Sequence, residues 1–202
     1  MNRSGTELAD ILNFSGTGST DRFRVNGGAG DDTITLNGVS SIAIGGEGND
    51  TIMANHGDDT VRGGVGNDRL LGNGGRDKVF GGEGNDYVDG GSGFDRIFGG
   101  TGDDTLRGGD NDDVIYGDLT NGNKDGTIGA DTFIFDAADG NDKVFDFADG
   151  VDIVELEGGA DVTLSYLAGN TVMSFGETTV TFFNTELEQD DFVGDYGTFD
   201  FV

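Results

Sequence analysis

Cutting the sequence every nine residues from Gly27 gives twelve blocks ending at Ile134. The sixth place is aspartate in ten of them: Asp32, Asp50, Asp59, Asp68, Asp77, Asp86, Asp95, Asp104, Asp113 and Asp131. Ser41 and Gly122 are the exceptions. A pair of carboxylates could serve in general acid–base hydrolysis of a glycoside. A column of them at one interval is instead a repeated hard-oxygen donor, suited to a cation such as Ca²⁺.

The other columns say what must hold these side chains. The eighth place is large and apolar in ten blocks, from Ile34 and Ile52 to Ile115 and Phe133, with Ala43 and Lys124 as exceptions. Glycines crowd the first, second and fourth places, where they permit backbone angles closed to other residues. Each block therefore reads as a six-residue turn followed by a short strand with its central side chain inward. One such unit cannot bury its apolar residue, but a stack can. Two units make a coil of eighteen residues, and successive coils pair as parallel strands about 4.8 Å apart. The expected architecture is all-β: a parallel β-roll over residues 27–134.

Aspartates eighteen apart then fall in line, one coil above another. Two carboxylates about 5 Å apart repel by roughly 1 kcal/mol in water and about 3 kcal/mol at an effective dielectric near 20. Cations between the rungs would relieve this. The blocks give one row of Asp32, Asp50, Asp68, Asp86 and Asp104, and another of Asp59, Asp77, Asp95, Asp113 and Asp131. About eight calcium ions in two rows are expected. Backbone donors are expected at Gly28, Gly30, Gly46, Gly48, Gly64, Gly66, Gly82, Gly84, Gly91, Gly93, Gly100 and Gly102. Residues 27–134 hold 20 acidic and 7 basic side chains, which eight divalent ions would neutralise.

Composition agrees. The 202 residues carry 39 acidic and 11 basic side chains, a net charge of −28. Such a surface repels nucleic acid and anionic membranes, so neither nucleic-acid binding nor membrane insertion is expected. Cysteine is absent, so thiolate sites are excluded. The one histidine, His56, leaves no HExxH zinc site and no Ser–His–Asp triad within the chain. No enzymatic activity is expected. "MNRSGTELADILNF" has no apolar run suited to a classical cleaved signal.

The blocks, as in GGEGNDTIM and GGEGNDYVD, match the pattern GGxGxDxUx, and the chain resembles the RTX (repeats-in-toxin, hemolysin-type) calcium-binding family. The resemblance implies a β-roll, extracellular calcium, and type I secretion from a Gram-negative bacterium. The segment "GADTFIFDAADGNDKVFDFADGVDIVELEG" resembles the one that closes RTX domains in serralysin-like secreted proteins, where it caps the roll.

Residues 1–26 are expected to form an N-terminal cap with a degenerate repeat, Val25 lying nine residues before Ile34. Residues 135–202 are expected to form a β-rich C-terminal cap with a candidate type I secretion signal at "DFV". Within it, "VTLSYL", "TVMSFG" and "TVTFFN" read as an antiparallel meander, and "TELEQDDF" as one short helical turn. Asp136, Asp142, Asp146 and Asp152 are either further calcium ligands or solvated turn residues. Asn121, Asn123 and Asp125 have the spacing of an EF-hand loop, but Thr132 stands where that loop needs Glu. A bulged loop and an extra calcium site both remain open. The ninth place of alternate blocks, read as Ile44, Arg62, Phe80, Phe98, Tyr116 and Ile134, is an apolar stripe expected to lie under the C-terminal segment or a second subunit.

Three roles fit: the C-terminal module of a larger exported protein that folds on extracellular calcium, a stand-alone self-assembling surface protein, or a polysaccharide-binding module.

Overall fold

The computed structural model describes residues 2–15, 22–37, 40–118, 129–194 and 197–201. Its strands, in chain order, are β1 (Asn2–Ser4), β2 (Ile11–Ser15), β3 (Arg24–Ala29), β4 (Thr33–Asn37), β5 (Ile42–Glu47), β6 (Thr51–Met53), β7 (Thr60–Val65) and β8 (Arg69–Gly74). They continue as β9 (Lys78–Glu83), β10 (Tyr87–Ser92), β11 (Arg96–Thr101), β12 (Thr105–Asp110), β13 (Val114–Asp118), β14 (Thr132–Asp136), β15 (Asn141–Phe145) and β16 (Ile153–Glu157). The last are β17 (Val162–Leu167), β18 (Asn170–Phe175), β19 (Thr178–Phe182), β20 (Phe192–Gly194) and β21 (Phe199–Phe201). A 3₁₀ turn at Gln189–Asp191 falls within the segment expected to be helical.

From β1 to β16 the strands alternate between two sheets, which makes the chain a parallel β-solenoid. The first runs β1-β3-β5-β7-β9-β11-β13-β15-β19-β18-β17-β21, the second β2-β4-β6-β8-β10-β12-β14-β16-β20. Each coil puts one strand in each sheet, and its neighbours pair in register eighteen residues away, as Val61 with Val79 and Val88 with Leu106. The inward column is Val25, Ala43, Val61, Val79, Ile97, Ile115 and Val144 on one side. Ile34, Ile52, Leu70, Val88, Leu106, Phe133 and Val154 face it on the other, and all are fully buried. Each apolar side chain meets the coil above, the coil below and the opposite sheet, so the core is continuous along the roll.

The parallel stack extends past both ends of the nonapeptide segment. β1 and β2 add a strand to each sheet, with Leu12 beside Ile34. At the other end β19 joins β15, and β17, β18 and β19 form the expected antiparallel meander.

The block count fails in one place. Thr105 pairs with Thr132, so the step between β12 and β14 is twenty-seven residues where the step before it in the same sheet takes eighteen. Residues 119–128, within that step, lie outside the described residues. Ile134 therefore sits beside Arg107 in the second sheet, and Phe145 takes the place expected for it beside Tyr116. Among the described residues the tail does not cover the stripe. The tail extends it, adding Phe145 and then Phe183 to a column of half-buried rings.

Candidate metal centre

Every aspartate of the column is buried at an edge of the roll, between 0% and 3% exposed. Each lies just before a strand, so its backbone follows the coil and its side chain turns towards the preceding one. Asp32 N–H donates to Asp50 Oδ1, Asp50 N–H to Asp68 Oδ1, and Asp68 N–H to Asp86 Oδ1, each at 2.7 Å. The row goes on through Asp104, Asp131 and Asp152 at 2.8–2.9 Å. On the other edge Asp59, Asp77, Asp95, Asp113 and Asp142 are linked in the same way at 2.7–2.8 Å. Asp131 was expected at the end of this second row. It stands in the first, because the nine extra residues return the chain to the edge it had left, and Asp142 holds the place instead.

One oxygen of each carboxylate is thus satisfied. The other is not. The Oδ2 atoms of Asp32, Asp50, Asp59, Asp68, Asp77, Asp86, Asp95, Asp104, Asp113, Asp131, Asp142 and Asp146 are buried without a hydrogen-bond partner. A buried acceptor without a partner is costly, and more so when charged. At most rungs its place is shaped by the first residue of the block, a glycine everywhere but at Asp59, where Ala54 stands. A Cβ on Gly27 would lie 2.0 Å from Asp32 Oδ2 and 2.7 Å from the Gly45 carbonyl oxygen. On Gly63 it would lie 2.1 Å from Asp68 Oδ2 and 2.7 Å from the Gly81 oxygen. Carboxylate and carbonyl oxygens thus converge on a space that exists because no Cβ fills it.

The glycine columns have two different causes. Gly28, Gly30, Gly46, Gly48, Gly64, Gly66, Gly82, Gly84, Gly91, Gly93, Gly100 and Gly102 all have positive φ, as the turn requires. Gly27, Gly45, Gly63 and Gly81 are not among the positive-φ residues, and there glycine is needed for clearance beside the carboxylate. Asn73 and Asn111 replace glycine at positive φ, a region that Asn tolerates better than most residues.

From Asp50 onward burial pushes the acids of the two rows up from their ordinary value, the N–H bond from the preceding coil opposes it, and neighbouring carboxylates add to the rise at most rungs. Asp50, Asp59, Asp86 and Asp95 reach about 6. Asp68, Asp77, Asp131 and Asp142 reach about 7. Asp104 reaches about 8 and Asp113 about 9. Among the described residues no three His, Cys, Asp or Glu side chains converge on one point. The donors on offer are one or two aspartates and backbone carbonyls, a set that would suit Ca²⁺.

A family model for the RTX calcium-binding nonapeptide repeat matches four copies, at residues 24–38, 41–70, 62–97 and 89–122. The roll is an array of RTX calcium-binding repeats. Among solved structures, the extracellular lipase LipA from Serratia marcescens is similar over 96% of this chain and 40% of its own, with 14% identity and a TM-score of 0.38. This chain thus spans well under half of that lipase. No curated protein matches.

The RTX pattern reaches further than its glycines. Asp10 N–H donates to Asp32 Oδ1 at 2.7 Å, which places Asp10 one rung before the first expected aspartate. Gly5, Asp10 and Leu12 hold the first, sixth and eighth places of a degenerate block, a signal present in the sequence. Beyond Ile134 the pairs Asp142–Val144 and Asp152–Val154 keep the aspartate-to-core spacing after the nine-residue interval has been lost. The first row is closed at both ends. Asp10 Oδ2 accepts from Thr6 N–H and Asp152 Oδ2 from Ala148 N–H. Ser41 stands in the second row, its hydroxyl accepting from Phe23 N–H at 3.0 Å. Asn121, Asn123 and Asp125 lie outside the described residues. His56 is exposed.

Proposed function

We propose that this chain is a secreted RTX module whose folding is coupled to extracellular Ca²⁺. The observation that carries the reading is the set of buried Oδ2 atoms without partners, repeated along two edges. Asp32, Asp50, Asp68, Asp86, Asp104 and Asp131 would hold ions along one edge, and Asp59, Asp77, Asp95, Asp113 and Asp142 along the other. Carbonyls of the glycine turns would complete the ligands. The rows offer five and four gaps between neighbours, so about nine ions fit where the block count suggested eight. Bound calcium supplies positive charge between carboxylates that otherwise repel.

The residues do the rest. The N–H of each rung orients the next carboxylate, the first glycine of the block leaves room beside it, and the core column fixes the coil spacing. Without calcium, some ten buried anions oppose the fold, and the chain stays unfolded where calcium is scarce. Outside the cell, near-millimolar calcium matches the affinity of about 10⁻⁴ to 10⁻³ M typical of extracellular modules.

In the same reading the chain is exported by a type I machinery, from a Gram-negative cell, as the C-terminal part of a larger protein. Residues 27–134 form the calcium-binding segment, residues 1–26 one cap, and residues 135–202 the other cap with the export signal. A far-UV circular dichroism titration at pH 7.5 tests the coupling. A cooperative coil-to-β change between roughly 0.1 and a few mM calcium supports it. A β-rich spectrum in calcium-stripped buffer, unchanged by calcium, refutes it.

A further inference from the structure

The outer face of the first sheet is basic and aromatic on an otherwise acidic protein. Two side-chain columns point outward there. One reads Arg24, Ile42, Thr60, Lys78, Arg96, Val114, Lys143 and Thr181, and the other Asn26, Ile44, Arg62, Phe80, Phe98, Tyr116, Phe145 and Phe183. Neither column contains an acid, although the chain has 39; Glu47 and Glu83, on the same strands, stand at their far ends, beyond the paired glycines. Arg24, Arg62, Lys78, Arg96 and Lys143 are exposed, five of the eleven basic residues. The ion pairs found among the described residues belong to Arg107, on the other sheet, and none involves these five.

The rings form a single stack. Phe80, Phe98, Tyr116 and Phe145 follow one another at 4.8–4.9 Å, nearly parallel, and Phe183 adds a fifth ring at 4.4 Å. Arg62 closes one end, 4.4 Å above Phe80. Ring faces are therefore spent on one another, and a sugar cannot lie flat on them. What the stack presents outward is its edge, the electropositive part of an aromatic ring. A strip of ring edges runs along the roll at the spacing of the coils, with Lys78, Arg96 and Lys143 in the column beside it.

We infer that this face docks an extended carboxylate-bearing polysaccharide lying along the roll axis. The charge and the linear repeat carry the choice of partner. A second copy laid face to face would bring the two cationic columns together. The turn edges of a second copy offer no continuous acidic line either, since one reads Asp31, Asn49, Asn67, Asn85 and Asp103. Calcium bound at the edges lowers the repulsion that the rest of the chain exerts on such a polymer.

The test is calorimetric titration of the calcium-loaded protein with short oligogalacturonates, below the length that gels with calcium. The triple variant Lys78→Gln, Arg96→Gln, Lys143→Gln should bind about tenfold more weakly, as loss of three partly screened contacts implies. Its binding should also depend less on salt. Arg69→Gln, on the opposite sheet, should bind as the parent does. Circular dichroism on the same samples reports whether the roll has formed, which separates failure of calcium-coupled folding from failure to bind. Undiminished binding by the triple variant overturns the inference. So does a double-stranded DNA oligomer that binds as tightly through the same residues, or a dimer of the parent chain that the three substitutions abolish.

Discussion

Removing calcium and adding protons should have opposite effects on this roll. Twelve aspartates, namely Asp50, Asp59, Asp68, Asp77, Asp86, Asp95, Asp104, Asp113, Asp131 and Asp142 of the two rows with Asp139 and Asp146, have folded-state values of about 6 to 9 against an ordinary value of 3.8. Raised values mean that the folded chain holds more protons than the unfolded one. The stability this contributes is complete below about pH 3.8 and is lost as pH rises through 6 to 9. At pH 5 an unfolded aspartate is about nine-tenths ionised, while these twelve are mostly protonated when folded. If solvent screening leaves only a third of that uptake, about four protons remain. The stability of the calcium-free fold then changes by about 5 kcal/mol per pH unit, and the transition spans roughly half a unit. The assay is far-UV circular dichroism of calcium-stripped protein from pH 7.5 down to 4.8. Light scattering should accompany it, because the isoelectric point near 4.1 favours association. A sharp gain of β-structure between pH 7 and 5 is expected. A chain that stays unstructured throughout that range would refute the claim that ionised Oδ2 atoms are what opposes the apo fold.

Substitutions separate the parts of the device. Asp68→Ala takes away the acceptor of Asp50 N–H as well as one ligand, and should cost about 1–3 kcal/mol from the stranded donor alone. Its calcium midpoint should move upward in a chromophoric titration, while Glu47→Gln, on an exposed edge, leaves the midpoint in place. Gly63→Ala drives a Cβ to 2.1 Å from Asp68 Oδ2, which must turn away, and should raise the calcium midpoint by the same assay. Gly169→Ala meets nothing within 4 Å and should cost only about 1 kcal/mol, for a side chain at positive φ, in thermal melts with calcium. Ile97→Ala opens a cavity in the fully buried column and should lose about 2–5 kcal/mol.

The roll itself was legible because its signal is redundant. Asp86 and Val88 repeat, one coil on, the signal of Asp68 and Leu70, so the period survives an exception such as Ser41 or Ala43. The antiparallel meander was legible from alternation and short turns. The positions of Asp131 and Phe145 were not, since the sequence beyond Asp118 keeps the nine-residue count while the three-dimensional register does not. Asp10 escaped notice because its block retains one of three glycines. The role of Gly27 and Gly63 was hidden for another reason: clearance and conformational freedom both select glycine, and only the position of Asp Oδ2 tells them apart. The stripe of Phe80 and Phe98 was visible, but not that its rings would cover each other rather than wait for a cover.

The twenty-seven-residue step between Asp104 and Asp131 sets a rule of parity for this protein. One block advances the chain by half a coil, so gaining or losing a single block exchanges the two sheets for everything that follows. Phe98 and Tyr116 would lose their common column, and the core would receive the same apolar residues from the wrong side. Lengths that change by two blocks leave every face as it was. The long coil here accepts an odd block while preserving the faces downstream, and so uncouples the length of the chain from the handing of its surfaces. Rolls of this kind can therefore lengthen in even steps without penalty to a binding face, and in odd steps only where a coil is able to set nine residues aside.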